Sequence, residues 1–293
     1  MWLLFSLIAS IVNALYYLSI QNAKISANVF MVYRGFLVVI LLLPIILFFP
    51  VKFSLSFYLM SVLQGIIVAY TDYLSFKINK NYGAETVSSI TPLTVAIVFV
   101  LWCFISPSIV LTYLDNPIKT FFIISSLFGV IWALLNYRKT PQTKEAFVSL
   151  IPVLFLSSII AILNKLIMSY SGENPLLSAC WRVFILSFII GCVHVCLYIK
   201  KKQPLKALID VKTLCKGSIL ILLITALVCK SLAMLYTQNP AYVSCIVYLT
   251  SVWIMLFSYI FPFFEFKKQN EQVHKKYEIL FIVSIILLIL ATY

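Results

Sequence analysis

Charge is scarce in this sequence. Asp, Glu, Lys and Arg make up 11% of its 293 residues, and only nine residues are acidic. A water-soluble domain carries about 25% charged residues, so a soluble globular fold is excluded. Histidine occurs only as His194 and His274, which leaves little for a zinc or haem centre. The cysteines are Cys103, Cys180, Cys192, Cys196, Cys215, Cys229 and Cys245; none forms a CxxC pair and nearly all lie in apolar blocks, as small buried hydrophobes do. No GxGxxG, Walker, HExxH, nucleophile-elbow or DxD pattern occurs, so the common local signatures of nucleotide binding and hydrolytic catalysis are missing.

What is there is hydrocarbon. Of all residues, 63% are hydrophobic, and they fall in blocks long enough to cross ~30 Å of membrane as helices. Hydropathy places ten spans at roughly 2–20, 28–49, 55–76, 85–105, 120–136, 147–169, 176–198, 215–236, 241–263 and 277–292. The stretch Met1 to Ser19 has no positive n-region and no small-residue cleavage pattern, so it reads as a first helix rather than a signal peptide. Connections are short. Consecutive helices are therefore expected to be antiparallel neighbours, and no loop holds a soluble domain. The expected fold class is an all-α polytopic membrane protein, one membrane domain in the lipid bilayer.

The formal net charge is +13. Most basic residues sit in short loops, which suits anionic lipid and topology setting rather than nucleic acid. Loops after the odd-numbered spans hold Lys24, Lys77, Lys80, Arg138, Lys139, Lys144, Lys200, Lys201, Lys202, Lys206, Lys212, Lys267, Lys268, Lys275 and Lys276; those after the even-numbered spans hold Lys52 and Lys119. Short basic loops stay in the cytoplasm, which puts both termini outside.

The two halves resemble each other. FMVYRGFLV (30–38) and ACWRVFIL (179–186) each set one arginine, Arg34 or Arg182, just inside an apolar helix. GAETVSSITPLT, ending at Thr94, matches NPAYVSCIVYLT, ending at Thr250, at Val87/Val243, Ser88/Ser244, Ile90/Ile246, Leu93/Leu249 and Thr94/Thr250. The offsets are 148 (182 − 34) and 156 (243 − 87). Two five-helix units follow, residues 1–140 and 141–293. Because five is odd, the second unit enters the membrane from the opposite side. Two inverted repeats around one cavity are a device for alternating access.

Charge at membrane depth costs several kcal/mol and points to cavities or partners. The candidates are Arg34, Asp72, Lys165, Arg182 and Lys230, four cations against one acid. If they share a cavity, it attracts carboxylate or phosphate groups. The other reading is that the arginines and lysines snorkel to the interface. Asp72 and Lys230 occupy similar depths in the third helix of each half and are expected to pair. Ser88, Ser89 and Thr91 can satisfy backbone groups loosened by Pro92, a bend that could line the cavity or be an ordinary kink; Ser244 is the counterpart of Ser88. Asn13, Tyr16 and Tyr17 in the first helix and Asn164 in the sixth could reach a solute, although tyrosines also pack near interfaces. His194 reads as structural, and Gly65 and Gly129 as sites of close helix approach.

With these residues the chain resembles the drug/metabolite transporter superfamily, in particular its EamA-like ten-helix proteins, over nearly its full length. The resemblance rests on the arginine contexts of Arg34 and Arg182, on GAETVSSITPLTVAIV, and on YLDNPIKTFFIISSLFGVIW with Gly129. Asp115 stands where the family often has a glutamate, and the last helix lacks the usual glycine. The resemblance implies a multi-pass inner or plasma membrane transporter of small metabolites with both termini cytoplasmic, opposite to the loop count. The expected function is secondary transport of a small organic metabolite, anionic or zwitterionic, coupled to a proton or a counter-solute, by a monomer or homodimer without a cofactor. The alternatives are a membrane-embedded enzyme, for which His, Asp and Glu are too few, and a channel or structural membrane protein.

Overall fold

The computed structural model describes residues 1–23, 27–82, 91–136, 144–200, 219–260 and 275–292. Every regular element among them is helical: α1 (Trp2–Ala23), α2 (Ala27–Phe48), α3 (Leu55–Tyr82), a 3-10 turn (Thr91–Leu93), α4 (Thr94–Ile105), α5 (Pro107–Asp115), α6 (Pro117–Asn136), α7 (Lys144–Ser169), α8 (Pro175–Lys200), α9 (Ile219–Tyr236), α10 (Pro240–Val247), α11 (Thr250–Ile260) and α12 (Lys275–Thr292). A backbone in hydrocarbon must satisfy its own polar groups, which leaves helices for a chain this apolar without a closed barrel. Seven helices (α1, α2, α3, α6, α7, α8 and α9) are long and apolar enough to cross a membrane, and the α4–α5 pair brings the number to eight if it counts as one span.

Three departures from the sequence reading have local causes. The segment expected to be a loop before the fifth span is helix α5, with Pro107 at its first turn, and it turns away from α4 by 101°. Its nine residues rise only about 13 Å, too little to cross. The ninth span is interrupted: α10 ends at Val247, where the Tyr248 N–H is shared between the Ser244 and Cys245 carbonyls at 3.2 Å each, and α11 begins at Thr250. This break occurs without a proline. Pro92 lies buried in the 3-10 turn that leads into α4, and α4 and α11 begin at the matched residues Thr94 and Thr250.

The chain divides into two compact units, and each draws on both halves of the sequence. The first comprises Met1–Tyr70, Leu163–Tyr236 and Leu249–Glu265; the second comprises Thr71–Ile162, Thr237–Tyr248 and Phe266–Tyr293. In the first, α1 packs chiefly on α9 and α2 chiefly on α8, with α11 also against α1. Sequence neighbours are therefore not the principal packing partners there. Tyr16, Val32, Val38, Met168, Val183, Leu220 and Leu232 form its core. The α2–α8 crossing is close because glycines meet: a Cβ on Gly35 would stand 2.2 Å from the Gly191 Cα. Gly65 sits similarly against Ile189 and the Leu186 carbonyl. In the second unit α6 packs on α12, where Gly129 faces the Ser284 side chain, and α4 packs on α10. Ile78, Leu150, Val153 and Leu154 join the end of α3 to the start of α7.

Candidate functional site

The first unit contains a buried cation. Arg182 stands seven residues after Pro175, about 10 Å along α8, and is only 2% exposed. It does not snorkel. Its Nε and one terminal nitrogen donate to the Ser231 hydroxyl at 3.0 and 2.7 Å, and Nη1 donates to Gln64 Oε1 at 2.6 Å. The Ser231 hydroxyl in turn donates to the Leu227 carbonyl at 2.7 Å. The face of α3 that carries Gln64 also carries Phe57 and Ser61, all fully buried, spaced four and then three residues apart as one helical face requires. The guanidinium thus ties α3, α8 and α9 together through neutral partners.

Lys230 precedes Ser231 on α9. It is half-buried and adjoins the residue that Arg182 bonds. Lys165, near the end of α7, donates to the Leu235 carbonyl at 3.0 Å. That carbonyl belongs to the last turn of α9, whose acceptors have no partner within the helix, so Lys165 caps a helix end. The preceding residue, Asn164, is buried at 3% exposure, and its Oδ1 has no hydrogen-bond partner among the described residues. Beside Arg182, Trp181 packs edge-on against Phe53, Tyr58 and Phe184; its indole N–H also lacks a partner there.

The remaining sequence candidates are dispersed. Arg34 is half-buried on α2, with Nη1 3.9 Å from Met31 Sδ. Asn13 is half-buried; Tyr17 is 53% exposed and leans on buried Tyr16 at 5.4 Å. Asp72 is half-buried and belongs to the second unit, whereas Lys230 belongs to the first. Thr91 contributes its carbonyl to the Tyr248 hydroxyl at 3.0 Å. Ser244 is buried and donates to the Pro240 carbonyl at 3.1 Å. Ser88 and Ser89 lie outside the described residues.

A second polar cluster went unsuspected. In the second unit the Tyr113 hydroxyl on α5 is 2.6 Å from that of Tyr242 on α10 and accepts from Asn239 Nδ2 at 3.2 Å. Asn239 Oδ1 caps α10 by accepting from the Ala241 N–H at 2.9 Å, and the Trp102 indole donates to the Gln238 carbonyl at 2.9 Å. The Asn-Pro that opens α10 is an N-cap signal in the sequence; the tyrosines carried no signal beyond their type. Gln64 could have been found as the one amide on an apolar face of α3.

A matched pair of contacts involves the residues that open α4 and α11. In the first unit Thr250 donates to the Ser10 carbonyl at 3.1 Å, and the Trp253 indole donates to the Ser10 hydroxyl at 3.0 Å. In the second unit the Ser158 hydroxyl donates to the Leu154 carbonyl at 2.8 Å and reaches the Thr94 carbonyl at 3.4 Å. Ser10 and Ser158 differ by the same offset as Arg34 and Arg182, and Thr94 and Thr250 begin α4 and α11.

These elements define a multi-span, all-α membrane protein. No family model and no curated protein matches the chain.

Proposed function

We propose that this chain is a secondary carrier of a small organic metabolite, built as two inverted five-helix repeats, residues 1–140 and 141–293, that work by alternating access. The observation that supports this reading is the matched pair of contacts. Ser10 of α1 meets Thr250 at the start of α11, and Ser158 of α7 meets Thr94 at the start of α4. Each half lends its opening helix to the helix that begins at the matched threonine of the other half. Pairing of α2 with α8 and of α6 with α12 follows the same rule, because each joins equivalent elements of the two halves. Such reciprocity gives a molecule two equivalent closures, which a carrier uses and an enzyme does not need. The resemblance to EamA-like transporters adds the expectation of a multi-pass protein of the inner or plasma membrane. Coupling is to a proton or to a counter-solute, and Asp72 is the carboxylate at depth that a proton would use.

The test is exchange in proteoliposomes loaded with a small-metabolite extract from cells. Mass spectrometry should find one solute whose entry saturates and whose exit is accelerated by external solute. Linear entry without counterflow would identify a pore instead, and a chemically altered metabolite would identify an enzyme.

A further inference from the structure

The guanidinium of Arg182 has five N–H bonds. Three are accounted for by Ser231 and Gln64; the other two have no partner among the described residues. Both partners are neutral, and the Ser231 oxygen is saturated, since it accepts twice and donates to Leu227. Lys230 directly precedes Ser231, the residue Arg182 bonds, and places a second positive charge on the same turn of α9. No described hydrogen bond engages its ammonium. Three neutral hydrogen bonds could be made by an uncharged side chain at far lower cost. Arg182 is buried without a counter-charge among the described residues, which is costly. What the pair alone supplies is attraction for an anion, presented on a planar fork that matches two oxygens of one group.

From this geometry we infer that Arg182 and Lys230 form a binding site for an oxyanion, a carboxylate or phosphate group, held by the two remaining Arg182 N–H bonds and the Lys230 ammonium. Gln64 and Ser231 are positioning residues: they hold the fork in plane from α3 and α9. The inference names the solute class for the carrier proposed above and rests on that reading only in treating the anion as cargo. The same chemistry would accept the headgroup of an anionic lipid.

The experiment is thermal unfolding of the full chain, titrated with inorganic phosphate and separately with succinate at constant ionic strength, with choline chloride as control. It is run in neutral detergent, in phosphatidylcholine nanodiscs and in nanodiscs containing phosphatidylglycerol. Phosphate or succinate should raise the unfolding temperature of the wild type in detergent and in phosphatidylcholine, and choline should not. Lys230→Met should weaken that binding at least tenfold. Arg182→Lys, which keeps the charge but loses the fork, should weaken it as well. Stabilisation by phosphatidylglycerol, lost in Lys230→Met, together with no response to soluble anions, would support the site and assign it to a headgroup. No response to any anion, or a response unchanged in Lys230→Met, would overturn it; this holds even if the arginine variant fails to fold. Binding without exchange in proteoliposomes would leave the site standing and sink the carrier, and exchange without anion binding would do the reverse.

Discussion

A buried hydroxyl in a membrane protein has no water to fall back on, so the Tyr113–Tyr242 contact matters beyond its length. At 2.6 Å it joins α5 to α10, and Asn239 joins it from the cap of α10. Polar contacts between membrane helices typically contribute about 1 kcal/mol. Tyr113→Phe removes both hydrogen bonds and should cost about 1–2 kcal/mol. Tyr242→Phe removes the shared Tyr113–Tyr242 contact as well, and the double variant should cost less than the sum of the two. Reversible unfolding in mixed micelles measures this cycle; strict additivity would show that the hydroxyls do not interact. Arg182 teaches the complementary lesson. Its sequence context allowed snorkelling and burial equally, because hydropathy gives depth along a helix but not the direction of a side chain. Direction was set by Gln64 and Ser231, which lie 118 and 49 residues away.

Among the elements, the α2–α8 pair is the most sensitive to added volume. A methyl on Gly35 would meet the backbone of Gly191 at 2.2 and 2.5 Å, and backbone cannot move aside as a side chain can. Gly35→Ala should therefore force the helices apart and cost ~3 kcal/mol or more. Gly172→Ala, with nothing within 4 Å, should be nearly neutral. Gly191→Ala meets the Phe36 ring first, at 3.1 to 3.2 Å, a side chain that can shift, and should fall between them. An order of effects other than this, read from folded yield in detergent, would mean that the crossing is looser than the structure shows. The long helices were legible because their apolar runs have no other home. The α5 helix was not, since PSIVLTYLD is too short and too mixed for a hydropathy window. The break at Tyr248–Leu249 was not legible either, since no proline marks it; the match of Thr250 to Thr94 gave only the register of α11 against α4.

For the molecule as a whole, sidedness follows from charge. α8 is a single apolar span of 26 residues, so its two flanks lie on opposite faces of the membrane. The flank after it carries Lys200, Lys201, Lys202, Lys206 and Lys212, while the loop before it carries Glu173 and no basic residue. The basic flank should be cytoplasmic. In a background without native cysteines, Gly172→Cys should react with a membrane-impermeant thiol reagent in intact cells, and Lys206→Cys only after permeabilisation. The reverse pattern would favour the sidedness implied by the EamA-like resemblance.

The pairing of α1 with α9 also sets a schedule for making the protein. The helix that covers α1 begins at Ile219, about 200 residues after Trp2. At ~5–20 residues per second, translation leaves α1 without that partner for about 10–40 s. During this interval its inward face, with Ser6 and Ser10 that end fully buried, must be sheltered by lipid or by the insertion machinery. The nascent chain is thus most exposed to quality-control proteolysis before α9 is synthesised, and a ribosome stalled short of Ile219 releases a product that lacks the partner of its first helix.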